Sequence, residues 1–256
     1  DGVEMSNLSG RVAIVTGGAS GIGAATAVEL AASGCTVAIC DVCAPEAAEP
    51  TLQRIVEAGG VPVFHQASVA DRPAVEAMMD DVVERFGSID ILVNNAGINI
   101  RKPFVELEID DVAKVWDVVL WGAFHCTQAA VRRMLKQGRG GAVVMISSVH
   151  GSRPYPNATA YNGGKAGVNH MAASWALELA GSGIRVNVIE PGWINTEGER
   201  RHFGEQVIAE QGKLLPMQRL GDPKEIAKAV RFLVSDDGSY ITGALLRVDG
   251  AFSLAH

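Results

Sequence analysis

Aromatic residues are scarce. They make up 5% of the 256 positions while 48% are hydrophobic, so aliphatic side chains must build most of any core. Cysteine is scarcer: Cys35, Cys40, Cys43 and Cys126 lie in apolar surroundings, which excludes a disulfide framework. Cys40 and Cys43 form a C-x-x-C pair, yet no second Cys or His pair stands at metal-ligand spacing, so buried or incidental thiols are expected, and no metal. Basic residues are in deficit. Twenty-two Lys and Arg against 29 Asp and Glu leave a net charge of −7. That excludes the basic face a nucleic acid needs and the polybasic signal for an anionic membrane. No apolar run approaches the ~18 residues of a spanning helix, and residues 1–10 lack the basic-then-apolar pattern of a leader. A soluble, cytoplasmic protein acting on a small molecule is the expectation.

Glycine is in excess, with 29 residues and no Gly-X-Y period, so it should mark turns and close backbone approaches. Short apolar runs at 12–15, 36–40, 61–65, 89–93, 142–146, 184–189 and 244–248 alternate with helical patterns at 21–33, 45–58, 71–86, 110–136, 158–180 and 223–234. Strands that are apolar on both faces and separated by helices belong to a parallel sheet covered on both sides. The expected fold is a single α/β domain over 1–256, doubly wound, with about seven strands. Residues 191–222 carry many charges and no core stripe. A stretch of that length between strand and helix reads as a substrate-binding lid.

The first strand runs into Thr16-Gly-Gly-Ala-Ser-Gly-Ile-Gly23 just where a helix begins. Gly17, Ser20, Gly21, Ile22 and Gly23 would let a pyrophosphate approach backbone N–H groups at the helix N-terminus, where the dipole favours an anion. Asp41 ends the second strand 18 residues after Gly23. A carboxylate there accepts bonds from the adenosine ribose and repels a 2′-phosphate. No Lys or Arg occurs from 12 to 53, so NAD is expected over NADP.

Tyr161 and Lys165 are four apart on one helical face, and Ser148 ends the fifth strand 13 residues before Tyr161. Strand C-termini line the crevice of a doubly wound sheet, so the three can meet. A phenol with pKa near 10 is a poor base. An ammonium ~4 Å away contributes up to ~4 kcal/mol at an effective dielectric near 20, which lowers that pKa by roughly 3 units. Tyr161 then serves as general acid/base and Ser148 orients the substrate oxygen.

With these residues in place the chain resembles the short-chain dehydrogenase/reductase family over nearly its whole length, about 8–250. The ordered set includes Asn94-Asn-Ala-Gly97, Val186-Asn187, Pro191-Gly192 with Thr196, Thr242-Gly243 and Val248-Asp249-Gly250. The resemblance implies that Asn95, Ala96 and Gly97 lie beside the cofactor. It further implies that Lys165 also holds the nicotinamide ribose, and that Pro191, Gly192, Ile194 and Thr196 touch the nicotinamide amide. A homotetramer packed through the two long helices is implied as well. Three departures stand out. Val119 occupies the place of an Asn that in the family helps hold a water linking the lysine to solvent. Ser68 stands where an adenine-contacting Asp is frequent. Asn162, Gly163 and Gly164 follow Tyr161, where small residues such as Ala-Ser are usual.

The substrate pocket should be lined from 99–103, 150–157 and 193–203, with His150, Arg153 and Trp193 foremost among Asn99, Arg101, Asn157, Glu197, Arg200 and His202. So polar a set favours a sugar, polyol or other small hydroxy compound, and a glucose-dehydrogenase-like branch is the resemblance implied. The competing readings are a 3-oxoacyl carrier-protein reductase and a non-catalytic nucleotide-binding protein of the same fold.

Overall fold

Alternation within the strands decides the architecture. In β1 (Val12–Thr16), Val12 and Ile14 face one core while Ala13 and Val15 face the other. The same alternation recurs in β2 (Thr36–Asp41), β4 (Ile91–Asn94) and β5 (Gly141–Ile146). With β3 (Pro62–Gln66), β6 (Ile184–Pro191) and β7 (Leu245–Val248) they form one parallel sheet of order β3-β2-β1-β4-β5-β6-β7. The structure is a computed structural model describing residues 8–255. The ends of the expected domain, residues 1–7 and 256, lie outside the described residues, as does most of the 1–10 stretch.

Helices α1 (Gly21–Ala32), α2 (Pro45–Glu57) and α9 (Pro223–Val234) cover one face through Leu30, Ile55, Ile226 and Leu233. Helices α3 (Arg72–Phe86), α5 (Gly122–Gln137) and α6 (Thr159–Leu179) cover the other through Met79, Cys126, Met134 and Val168. Side chains cap several helix starts: Asp71 accepts from Ala74 N at 3.2 Å, and Asp222 from Lys224 N at 2.8 Å. Such caps contribute about 1 kcal/mol each. Gly87 and Gly138 stop α3 and α5 at φ of 81° and 67°, a conformation that costs glycine little. Cys35, Cys40 and Cys126 are buried in these cores, where burial raises their thiol pKa values.

The expected 110–136 helix is not continuous. α4 (Ile109–Trp116) passes into α5 through a π-type turn over Asp117–Trp121, where Gly122 N–H donates to the carbonyl of Asp117. The turn fits a third, small core in which Val115, Val119 and Ala160 pack with Tyr161. Gly122 is needed here, because a Cβ would stand 2.5 Å from Val69 Cγ2. The segment 191–222, read from the sequence as a lid, has secondary structure of its own. It holds α7 (Glu197–Phe203) and α8 (Glu205–Gly212), closed at the base by an Ile194–Gly221 bridge. Among the described residues no helix is long and apolar enough to cross a membrane.

Candidate active site

The strand order reverses between β1 and β4, which opens a crevice at their C-terminal ends. Thr16 ties the two strands together there: its hydroxyl accepts from Asn95 N at 3.0 Å and Ala96 N at 3.1 Å. Asn95 Nδ2 donates back to the carbonyls of Thr16 and Gly17 at 2.9 and 3.0 Å. Gly17 and Gly21 adopt φ of 63° and 56°. A Cβ on Gly23 would fall 2.1 Å from Gly17 O and 2.5 Å from Asn95 Nδ2, and one on Gly18 would meet Ile39 at 2.6 Å. The turn therefore requires glycine for close packing.

α1 starts with Ser20 in extended backbone, with no side-chain cap and no acid in its first turn. Its first N–H groups and its positive dipole end are left for an anion, so this cradle fits a dinucleotide pyrophosphate. Asp41 stands at the rim. Its carboxylate accepts from Ala19 N at 3.2 Å and from Val42 N at 2.8 Å, so it caps its own turn and grips the glycine loop. Ser68 spends its hydroxyl on Ala70 N at 3.2 Å.

Beyond the cradle lies a cavity of about 600 Å³. Ser148, Tyr161 and Lys165 all reach it, with Ile22, Asn95, Gly97, Pro191, Gly192, Ile194 and Thr196 along the same wall. Tyr161 shares a hydrogen bond with Ser148, and Ser148 Oγ also accepts from His150 N at 3.2 Å. Lys165, 4% exposed, donates to Ile146 O at 2.7 Å, and its Nζ lies 5.6 Å from the centre of the Tyr161 ring. The expected depression of the phenol is corrected here. Burial pushes Tyr161 up to about 12 against the Ser148 bond, and the same loss of solvent lowers Lys165 to about 8. Burial disfavours the charged form of each group.

Local packing explains two of the departures. Gly164 faces Val119: a Cβ there would stand 3.1 Å from Val119 Cγ1, and one on Gly163 would stand 3.8 Å from Trp116. The glycine pair makes room for the branched Val119 and for the indole, whose Nε1 donates to Ala160 O at 2.9 Å. Asn162 Oδ1 is 2.6 Å from His150 Nδ1, while its Nδ2 donates to Tyr155 O at 2.9 Å. An amide oxygen cannot donate, so His150 carries its proton on Nδ1. Burial lowers the His150 pKa, against the Asn162 bond that raises it.

The substrate expectations divide. His150, Trp193, Asn99 and Arg101 line the cavity; Arg153, Asn157, Glu197, Arg200 and His202 do not. Arg200 turns away to Asn195 Oδ1 at 2.9 Å, and Arg201 holds Glu197 at 3.2 Å. Arg153 lies past the short turn that follows Ser148, outside the lining. Sequence reasoning did not single out Tyr155, Glu199 and Phe203 within its expected segments and left Phe252 outside them; these four complete the wall and make it more aromatic than expected. Glu199 Oε2 accepts from Trp193 Nε1 at 2.8 Å. It also missed Glu190, fully buried, whose carboxylate takes bonds from Ser152 Oγ at 2.6 Å and Asn169 Nδ2 at 2.8 Å and pairs with Arg247. Glu190 fastens the turn after Ser148 to α6. A lone acid ending an apolar strand was its only sequence signal.

The family model described as "Enoyl-(Acyl carrier protein) reductase" matches residues 17–253. Glucose 1-dehydrogenase 2 of Bacillus subtilis is 38% identical over 249 residues, covering 97% of this chain and 96% of that protein. A 3-oxoacyl-[acyl-carrier-protein] reductase of Thermotoga maritima is 39% identical over 95% of this chain and 98% of its own. The crystal structure of carveol dehydrogenase from Mycobacterium avium in complex with NAD superposes with a TM-score of 0.91 at 31% identity, covering 98% of this chain and 100% of that one. The glycine cradle, the cavity beside it and these likenesses together establish that the chain belongs to the short-chain dehydrogenase/reductase family, oxidoreductases that interconvert alcohols and ketones with a nicotinamide cofactor.

Proposed function

We propose that the protein is an NAD-dependent dehydrogenase of a small polar secondary alcohol, a sugar or polyol in the first instance, with Ser148, Tyr161 and Lys165 as catalytic residues. The observation that carries this reading is the meeting of these three side chains on one cavity wall next to the glycine cradle. Asp41 supports NAD, since its carboxylate already grips the loop where a 2′-phosphate would need a cation. The Mycobacterium avium relative in complex with NAD points the same way. Gly17, Ser20, Gly21, Ile22 and Gly23 hold the pyrophosphate end, and Asn95, Ala96, Gly97, Pro191, Gly192, Ile194 and Thr196 hold the nicotinamide end.

When bound, the cofactor supplies the acceptor for the hydrogen and electron pair that leave the carbinol carbon. The chain does the rest. Ser148 Oγ holds the substrate oxygen beside the phenol, and Tyr161 Oη takes the hydroxyl proton as the carbonyl forms. Burial opposes the phenolate, and the Ser148 hydrogen bond and the Arg101 cation reduce that cost in part. Segment 191–222 closes over the substrate as a lid, which keeps water from the reacting atoms. We place the enzyme in the cytoplasm as a homotetramer packed through the two long helices. Exposed Trp116, Trp121, Leu135 and Leu177 on α4 to α6 support that packing.

The relative in Thermotoga maritima keeps a 3-oxoacyl reductase in view, and Asp41 opposes it because such enzymes usually take NADPH. A non-catalytic role has only Val119 in its favour. The test is nicotinamide absorbance with NAD and NADP in parallel across aldoses, polyols, hydroxyacyl esters and hydroxysteroids at mildly alkaline pH. The expected result is NAD reduction with a polyhydroxy substrate, abolished in Tyr161→Phe while NADH still binds. Reaction with NADP alone, or undiminished turnover in Tyr161→Phe, refutes the reading.

A further inference from the structure

The cavity carries a charge pattern unlike that of the chain around it. The protein has a net charge of −7, yet the lining holds two cations, Arg101 and Lys165, against one carboxylate, Glu199. Glu199 is already engaged by the indole N–H of Trp193, and Lys165 by the carbonyl of Ile146. Arg101 is different. Its guanidinium carbon sits 5.3 Å from the centre of the Phe203 ring, bridging the loop after β4 to α7, and it has no carboxylate partner among the described residues. Most other arginines here are matched to acids, among them Arg11 with Asp236, Arg133 with Glu76 and Asp80, and Arg219 with Glu225. An unpaired fork at the wall of a substrate cavity is an anchor for a planar anion.

The wall around it is aromatic: Tyr155 lines the same cavity, its ring 4.4 Å from His150 and stacked 6.0 Å from Phe252. His150, which also lines this wall, is disfavoured as a cation by burial and by Arg101, so it adds no competing charge.

We propose that the substrate of this site is a secondary alcohol that carries a carboxylate, and that Arg101 is the residue that selects it. The proposal rests on the dehydrogenase reading and names its substrate class. The carboxylate takes the Arg101 fork while the carbinol lies between Ser148 and Tyr161, and the aromatic wall of Trp193, Phe203, Tyr155 and Phe252 covers the carbon skeleton. The oxidised nicotinamide, itself positive, adds to the same preference.

Binding tests this apart from turnover. Cyclohexanecarboxylate and gluconate are titrated calorimetrically into protein saturated with NADH, each against its neutral counterpart, cyclohexanecarboxamide or sorbitol. The two acids separate a ring skeleton from an open polyhydroxy chain. At least one acid binds about 2- to 5-fold tighter than its counterpart, the range expected for a charge pair at an exposed guanidinium. Arg101→Gln erases that preference, and Arg101→Lys, which keeps the charge and loses the fork, retains part of it. Equal binding of acid and neutral probe, or a preference that survives Arg101→Gln, overturns the proposal. Retained preference for an acid with no alcohol oxidised would instead defeat the dehydrogenase reading and leave the anion site standing.

Discussion

Lys165 ties stability to pH in a direction opposite to most surface lysines. It is almost wholly enclosed and its pKa falls from 10.5 to about 8 on burial. The unfolded chain then binds more protons than the folded one between pH 8 and 10.5, so the burial penalty is complete below pH 8 and is relieved as pH rises through that window. The gap corresponds to ~3 kcal/mol, of which ~2 kcal/mol is recovered between pH 7 and 9.5. The assay is urea unfolding of the ligand-free protein and of Lys165→Met at both pH values. Buried cysteines and Tyr161 titrate with raised pKa values in both proteins, so their contribution cancels in the difference. Wild type should gain ~2 kcal/mol on the variant from pH 7 to 9.5. A constant difference, or ground lost by the wild type, would show that Lys165 is solvated in the folded state and refute the reasoning.

Other expectations are more direct. Asp41→Ser, which removes the carboxylate at the rim of the glycine loop, should raise KM for NAD at least tenfold and lift the ratio of NADP to NAD turnover; an unchanged ratio removes Asp41 as selector. Gly23→Ala puts a methyl against Gly17 O and Asn95 Nδ2, and overpacking of this kind costs about 1–3 kcal/mol. Its Tm should fall and its affinity for NADH should drop, and a variant with wild-type values for both counts against the close packing described. Val119→Asn restores a hydrogen-bonding side chain near Lys165 and should raise kcat several-fold; kcat within error of wild type defeats the water-relay argument for this chain.

The sheet was legible because its central strands β1, β2, β4, β5 and β6 are apolar runs buried on both faces, and that pattern needs no tertiary information to read. Tyr161, Lys165 and Ser148 were legible for a similar reason: a four-residue helical spacing plus a strand end places them in one crevice. What stayed hidden depends on register or on long-range encounters. One added residue leaves the apolar pattern of 110–136 looking like a single helix, so the π-type turn gave no signal. Phe252 meets Tyr155 across nearly 100 residues of chain, and His150 meets Asn162 only because the turn after Ser148 folds back on α6. The phenol pKa went astray because proximity to a lysine was weighed without the burial that both groups share.

The turn over Asp117–Trp121 makes chain length itself a constraint. An α-helix advances about 100° per residue, so α4 and α5 stand out of phase by that angle, and each is thereby aimed at a different core. Deleting one residue between 117 and 121 would restore an unbroken helix, which in isolation is the better hydrogen-bonded state. It would also swing the Trp116 indole off the Ala160 carbonyl and carry Val119 out of the pocket beside Tyr161. Side chains along this stretch can vary as long as volume is kept, but its residue count cannot. In this stretch the spacing, more than the composition, decides where the phenol stands.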